Sequence, residues 1–340
     1  MRVRLLPKTG KAWLRWAVVL GLLTTGLLYI TKMPDSSYSG SLNPLTDQEK
    51  RLRDNLRQHV IQLAEKIGER NVWHPRQLEA AADYIEKMLE NQGFDVSAQP
   101  YPAQGITVKN LEVEQRGSSL AEEIVIIGAH YDSVIGSPGA NDNGSGIGCI
   151  LEVARLIAGQ KLKRTVRVVA FVNEEPPFFQ TSLMGSRISA LRSRQRREKI
   201  VAMLSIETIG YYTEAPGSQH YPFPFSFFYP STGNFIGFVS NLSSRTLLHK
   251  VMTSFRRHTD FPSEGVAAPG WITGIGWSDQ WSYWQEGYPG VMVTDTAPYR
   301  YPFYHTAGDT PDKIDYERLA RVVAGISRVI TEIAEAESSE

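Results

Sequence analysis

Six side chains able to bind a divalent cation or to move a proton stand at or just beyond apolar runs of this chain. His130 follows EIVIIGA, Asp142 lies within GANDNGSG, Glu174 and Glu175 follow VRVVAFVN, Glu207 follows KIVAMLSI, and His305 comes soon after GVMVTDT. Two imidazoles and three carboxylates form a ligand set that suits zinc, and one carboxylate can bridge two ions about 3.5–4 Å apart. Asp142 is the candidate bridge, because Asn141, Asn143, Gly144 and Gly146 let the backbone around it turn sharply. Asp132 lies two residues past His130, so on an extended segment it shares a side with the imidazole and is placed to orient it. Asp309 is a similar candidate for His305. Glu174 and Glu175 point to opposite sides of a strand, which leaves one to ligate and the other to face a water as general base. Their spacing does not say which does which.

Taken singly, each residue has a plainer explanation: a loop histidine, a solvated acid, an Asn-Asp-Asn-Gly turn. What they share is position at the ends of predicted strands. In open α/β sheets ligands gather at the carboxyl ends of the strands, so residues far apart in sequence converge on one crevice.

The elements that must position them read as follows. Thr46 and Glu49 form a capping-box pattern before Leu52, Leu56, Val60, Leu63 and Ile67, which recur at helical spacing until Gly68. A second helix opens at Pro75, buries Leu78, Ala82, Ile85 and Leu89, and stops before Gly93. Then strands ITVKNLEVEQ, EIVIIGAH, VRVVAFVN and KIVAMLSIE alternate with helical stretches, one of them near 146–158. IVIIGA and VRVVAFV are apolar without alternation, as strands buried on both faces must be. The pattern predicts an α/β fold, a three-layer α/β/α arrangement around a mixed, mostly parallel sheet. An aromatic-rich insertion spans about 208–285, with a helix expected over 234–258; GVMVTDT and a last helix over about 312–335 close the domain.

Arg2, Arg4, Lys8, Lys11 and Arg15 precede an uncharged run from Ala17 to Ile30, and no acid lies among them. Residues 1–32 therefore read as an export signal or N-terminal membrane anchor, 33–44 as a linker, and 45–340 as the catalytic domain. The basic flank predicts an N-in orientation, which places the domain outside the cytoplasm, in the periplasm if the source is bacterial, either membrane-anchored or secreted. Basic and acidic residues balance at 36 each, so no net charge draws the molecule to nucleic acid. Cys149 is the sole cysteine and excludes an intrachain disulfide. GSGIG, after Asn143, lacks the G-x-G-x-x-G spacing of a dinucleotide loop.

The segments GAHYDS, GANDNGSG, FVNEE followed by LMGS, SIETIGYY and YHTAGDTPDKID, in that order over about residues 70–335, resemble the motif series of the clan MH zinc exopeptidases. This is peptidase family M28, the bacterial leucyl aminopeptidase type, related to glutamate carboxypeptidases and glutaminyl cyclases. The resemblance implies a mixed sheet between helices and two zinc ions, with Asp142 as bridge, His130 and Glu207 as ligands on either side of it, and Glu175 and His305 completing the set. It also implies that Glu174 is the general base. Glu207 stands where many such aminopeptidases carry aspartate, Gln280 in WSDQW stands where histidine is common, and Pro176-Pro177 departs from the pattern.

The expected function is metallopeptidase hydrolysis of the N-terminal residue of peptides, through a bridging water and a glutamate base. The readings weighed beside it are a carboxypeptidase or dipeptidase of the same fold, with Arg187 and Arg300 as possible carboxylate holders, then a glutaminyl cyclase, or a silent membrane-tethered binding ectodomain. The aromatic stretch 211–229 and Trp271, Trp277, Trp281 and Trp284 are candidates for the wall of an apolar pocket.

Overall fold

A computed structural model describes residues 10–337; Arg2, Arg4 and Lys8 of the expected signal lie outside the described residues. The helices are α1 (Gly10–Thr31), α2 (Asp47–Val60), α3 (Pro75–Asn91), α4 (Gly146–Ile157), α5 (Gly185–Gln195), α6 (Arg245–His258), α7 (Gln280–Gln285), α8 (Ala297–Arg300) and α9 (Tyr316–Glu335). The strands are β1 (Ser97–Ala103), β2 (Ile106–Gln115), β3 (Leu120–His130), β4 (Arg164–Phe171), β5 (Lys199–Glu207), β6 (Ile236–Ser240), β7 (Ser263–Ala267) and β8 (Gly290–Thr294). They form one mixed sheet in the order β1-β2-β4-β3-β5-β8-β6-β7. The central β4, β3, β5 and β8 are mutually parallel, while β2 against β4 and β6 against β8 are antiparallel.

The unalternating strands are buried on both faces. Val125, Ile127 and Ala129 of β3 and Val166, Val168 and Ala170 of β4 join a core under α2, α3, α4, α6 and α9. Ile124, Ile126, Val169 and Phe171 face the other way, toward α5 and α7. This is the three-layer arrangement the sequence predicts.

The capping box forms as expected, with Thr46 accepting from the Glu49 backbone and Glu49 accepting from Thr46. After Val60 the helix widens into a π-turn, Ile61–Ile67, and ends at Gly68 with φ of 83°, a value glycine adopts without strain.

One expectation is corrected, and one strand is added to those expected. Residues 234–258 are not one helix: Ile236–Ser240 forms strand β6, and α6 starts only at Arg245. IGFVS is a short, fully buried apolar run, which periodicity alone cannot assign to helix or strand, and Asn241 then turns the chain by accepting from the Ser244 backbone. SAQPYPA is strand β1, where Pro100 and Pro102 are tolerated because β1 is an edge strand. The aromatic-rich region lies between β5 and β8 and adds β6 and β7 to the same sheet.

α1 is the one helix among the described residues that is long and apolar enough to cross a membrane; its apolar window, Trp13–Thr31, is not buried anywhere. Its 22 residues span roughly 33 Å at 1.5 Å per residue, against about 30 Å of hydrocarbon. A signal anchor and a signal peptide are both compatible with that segment.

Candidate active site

Because β4, β3, β5 and β8 run parallel, their carboxyl ends share one edge of the sheet. The register pairs Gly128 with Ser205, so His130 and Glu207, each two residues further on, finish side by side. His130 Nε2 lies 3.3 Å from Glu207 Oε2 and 3.2 Å from Asp142 Oδ1. The other oxygen of Asp142, Oδ2, is 3.1 Å from His305 Nε2, which is in turn 3.3 Å from Glu175 Oε2. Two triads of candidate ligands thus form, His130–Asp142–Glu207 and Asp142–Glu175–His305, and they share Asp142; His130 and Glu207 therefore fall on the same side of Asp142, not on either side of it as the resemblance implied. Glu174 belongs to neither; its Oε2 stands 3.9 Å from His130 Nε2 and it lines a cavity with Asp142, Glu175, Glu207 and His305.

The turn 140–145 that carries Asp142 is held from several sides. Asn141 donates to Asp295 and accepts from the Gly210 backbone, while Asn143 donates to the Ile206 carbonyl and accepts from the backbones of Gly146 and Thr208. These bonds tie the turn to the end of β5. Beneath it the fully buried Arg70 donates to the carbonyls of Tyr131, Pro138 and Gly139. Asn173, Thr208 and His305, each at or beside a site residue, have φ of 60°, 44° and 57°, the strained left-handed region that clusters at functional sites.

Asp132 acts on its surroundings twice. Its main-chain carbonyl, 3.2 Å away, meets His130 Nδ1, while its carboxylate accepts from the backbone N–H groups of Glu174 and Glu175 at 3.2 and 3.1 Å. Asp309 does not attend His305: its oxygens accept from the backbones of Asn141 and Asp142 and from the Tyr301 hydroxyl, so it braces the Asp142 turn instead. His305 stacks on Tyr304, ring centroids 3.8 Å apart.

Four buried carboxylates, Asp142, Glu174, Glu175 and Glu207, face two imidazoles. Burial, reinforced by Asp142, pushes Glu175 up to about 7 against the pull of His305. Burial likewise drives Glu174 well above the usual carboxylate range, reinforced by Glu207, Glu175 and Asp279. Glu207 is raised by burial and Asp142 despite His130. Asp142 alone is lowered, because hydrogen bonds and charge from both histidines outweigh its burial. The histidines respond in kind. Burial would lower them, but the surrounding carboxylates carry His130 well above its ordinary value and His305 to about 10. His130 Nε2, Asp142 Oδ1 and Glu175 Oε1 are buried without a hydrogen-bond partner. Converging acids, orphaned ligand atoms and two nitrogen donors fit a divalent cation of zinc's preference.

Sequence reasoning missed three contributors. Ser278 donates to Glu207 at 2.7 Å. Asp279, fully buried and pushed up to about 7 chiefly by burial, is close enough to Glu174 to raise its proton affinity. Both lie in WSDQW, where Gln280 drew notice and its neighbours did not. Arg70, in the polar segment after Gly68, carries no sequence signal of its role. Of the aromatic candidates, Tyr221, Phe225, Tyr229 and Trp277 line an apolar cavity with about 840 Å³ of free space, its open mouth included, that reaches Glu207 and Tyr304. Trp284 packs beside its inner cluster, whereas Trp271 is exposed.

The model of peptidase family M28 matches residues 110–330. An uncharacterized protein of Escherichia coli strain K12, YfbL, is 37% identical over 282 residues, covering 80% of this chain and 86% of that protein. A probable aminopeptidase of Saccharomyces cerevisiae is 26% identical across 65% of this chain and 56% of its own length, so the chain spans little more than half of that relative. Among solved structures, BSAP, a zinc aminopeptidase from Bacillus subtilis, superposes with a TM-score of 0.68 at 14% identity, covering 85% of this chain and 96% of the other. A glutaminyl cyclase from Bacteroides thetaiotaomicron superposes with a TM-score of 0.62 at 17% identity, covering 82% and 97%. At these identities the structural likeness shows the fold.

Proposed function

Since the chain belongs to peptidase family M28, we propose that it is a zinc aminopeptidase holding two ions, one by His130, Asp142 and Glu207 and one by Asp142, Glu175 and His305. The observation that carries this reading is the division of Asp142: its two oxygens face different histidines, 3.2 and 3.1 Å away, as a bridging carboxylate must. Zinc at such a site supplies Lewis acidity, acidifying a water and polarising the scissile carbonyl.

The protein's own groups do the rest. Glu174, outside both triads but on the same cavity wall, takes the proton from the attacking water and returns it to the leaving amine nitrogen. Asp132 holds the backbone of Glu174 and Glu175, keeping base and ligand in a fixed relation. Carboxylate oxygens around the cavity can accept hydrogen bonds from a free α-amine. The two arginines weighed as holders of a C-terminal carboxylate are committed elsewhere: Arg187 pairs with Glu286, and the buried Arg300 donates to Gln219 and the Phe235 carbonyl. That favours an aminopeptidase over a carboxypeptidase. The apolar cavity beside Glu207 receives the first side chain of the substrate, which selects bulky apolar N-termini.

A peptide panel tests this. Free peptides beginning with leucine or phenylalanine should be cleaved, their N-acetylated forms should not, and activity should vanish on chelation and return with zinc. Cleavage confined to the acetylated peptides would overturn the aminopeptidase reading.

A further inference from the structure

The end of α1 is fastened to the domain rather than joined by free chain. The Arg245 guanidinium lies over the Tyr29 ring at 4.1 Å and donates to the Tyr29 and Lys32 carbonyls. Arg256 donates to the carbonyls of Pro34 and Asp35, and the Ser263 backbone at the edge strand β7 donates to Ser37. Met33 and Met252 together fill the space left by Gly265 of β7, where an added Cβ would stand 2.9 Å from Met33 Cγ and closer still to the Met252 sulfur. Ile30 packs on a small apolar cluster built from Phe225, Val239 and Ile275, joined by Tyr221, Tyr229 and Ile272.

The loops that supply this cluster from inside present aromatic side chains outward. Phe223 and Phe227, flanking the buried Phe225, are 84% and 76% exposed and pack edge to face. Trp271, next to Ile272, is 85% exposed. Residues 221–235 and 265–277 contain no charged side chain. Single exposed apolar residues need no explanation, but three of the most exposed in the domain gathered where an apolar helix leaves it do. Aromatic rings on uncharged loops beside a spanning helix match the headgroup–acyl boundary of a bilayer, where such rings concentrate.

We propose that Phe223, Phe227 and Trp271 insert into the interface of the leaflet from which α1 emerges, seating the domain on the membrane. The inference rests on α1 spanning the bilayer and is independent of the peptidase reading. It has a consequence for access: Tyr221, Phe225 and Tyr229 line the apolar cavity from the inner side of the same loop, so the cavity is held close to the lipid surface.

The test uses the full chain reconstituted in vesicles of phosphatidylethanolamine and phosphatidylglycerol. Cys149 is buried, so Phe227→Cys and Trp271→Cys can each carry a single nitroxide label. Ala98→Cys, exposed on β1 at the opposite edge of the sheet, serves as control, seven strand spacings or roughly 33 Å away. Power saturation should show the labels at 227 and 271 relaxed more by lipid-soluble oxygen than by an aqueous nickel chelate, with the reverse at 98. Nickel-dominated relaxation at all three sites would overturn the proposal. So would shielding of 227 and 271 from both reagents, which marks a protein partner. Release of the chain by alkaline carbonate would remove its premise. Peptide hydrolysis, measured on the same vesicles, reports separately on the catalytic reading.

Discussion

The carboxylate of Asp132 accepts a hydrogen bond from the backbone N–H of Glu174 at 3.2 Å, and its other oxygen accepts from Glu175 at 3.1 Å. One buried acid thereby fixes the turn beyond β4 that carries both the proposed base and a proposed ligand, while its carbonyl meets the His130 imidazole. Asp132→Ala should lower kcat/KM about ten- to a hundredfold, the usual effect of losing a residue that orients ligands. Steady-state kinetics with metal content measured in parallel checks this; unchanged kcat/KM would show that the contacts do not matter to the reaction.

Glu174 is the residue whose removal should separate metal binding from turnover. It stands outside both triads, so Glu174→Gln keeps the ligand set and removes only the proton acceptor. Turnover should fall by at least about 10²–10⁴-fold, with zinc content by elemental analysis unchanged. Retained activity would move the base elsewhere.

What the sequence disclosed and what it hid follow from how each feature is built. The parallel core was legible because strands buried on both faces lose their alternation, and the site because its residues terminate those strands. β1 was hidden by Pro100 and Pro102, which only an edge position makes acceptable, and β6 by an apolar run too short for its period to be read. The partners of Asp309 are illegible in the sequence because it binds the backbone N–H groups of Asn141 and Asp142, and main-chain donors leave no mark there. Ser278, Asp279 and Arg70 reach the site from segments without strand-end positions, so nothing in their surroundings singled them out.

The sharing of Asp142 makes the proposed ligands unequal under mutation. Asp142→Ala removes a ligand from both triads, whereas His305→Ala touches only one. After purification in zinc-containing buffer, wild type should carry two equivalents per chain, His305→Ala one and Asp142→Ala close to none. One equivalent in the wild type would reduce the site to a single ion.

Arg70 carries a stability prediction. Its guanidinium, fully buried, satisfies the carbonyls of Tyr131, Pro138 and Gly139 under the Asp142 turn. Arg70→Met keeps much of the volume but strands these acceptors and leaves nearby acids uncompensated. Unfolding free energy should drop by about 3–5 kcal/mol, as when one partner of a buried charged network is removed, and zinc affinity should fall with it. Denaturant titration of wild type and variant in chelator separates the first effect from the second; equal midpoints would mean the guanidinium is dispensable.

Away from the site, Glu152 on α4 predicts how stability depends on pH. It is 1% exposed and accepts from Asn55, from His59 at 3.4 Å and from Arg155 at 2.7 Å. Burial alone would raise its pKa, but these partners outweigh it and hold the carboxyl below its usual range. A carboxyl that binds its proton less readily folded than unfolded stabilises the fold fully above the unfolded value, about 4.3, and loses that contribution as pH falls toward the folded one. Glu152→Gln keeps the shape and deletes the charge. The stability gap between wild type and variant, from denaturant titrations, should therefore be constant between about pH 6 and 8 and shrink below about pH 4. A gap that stays level or widens on acidification would show that these partners do not favour the ionised form.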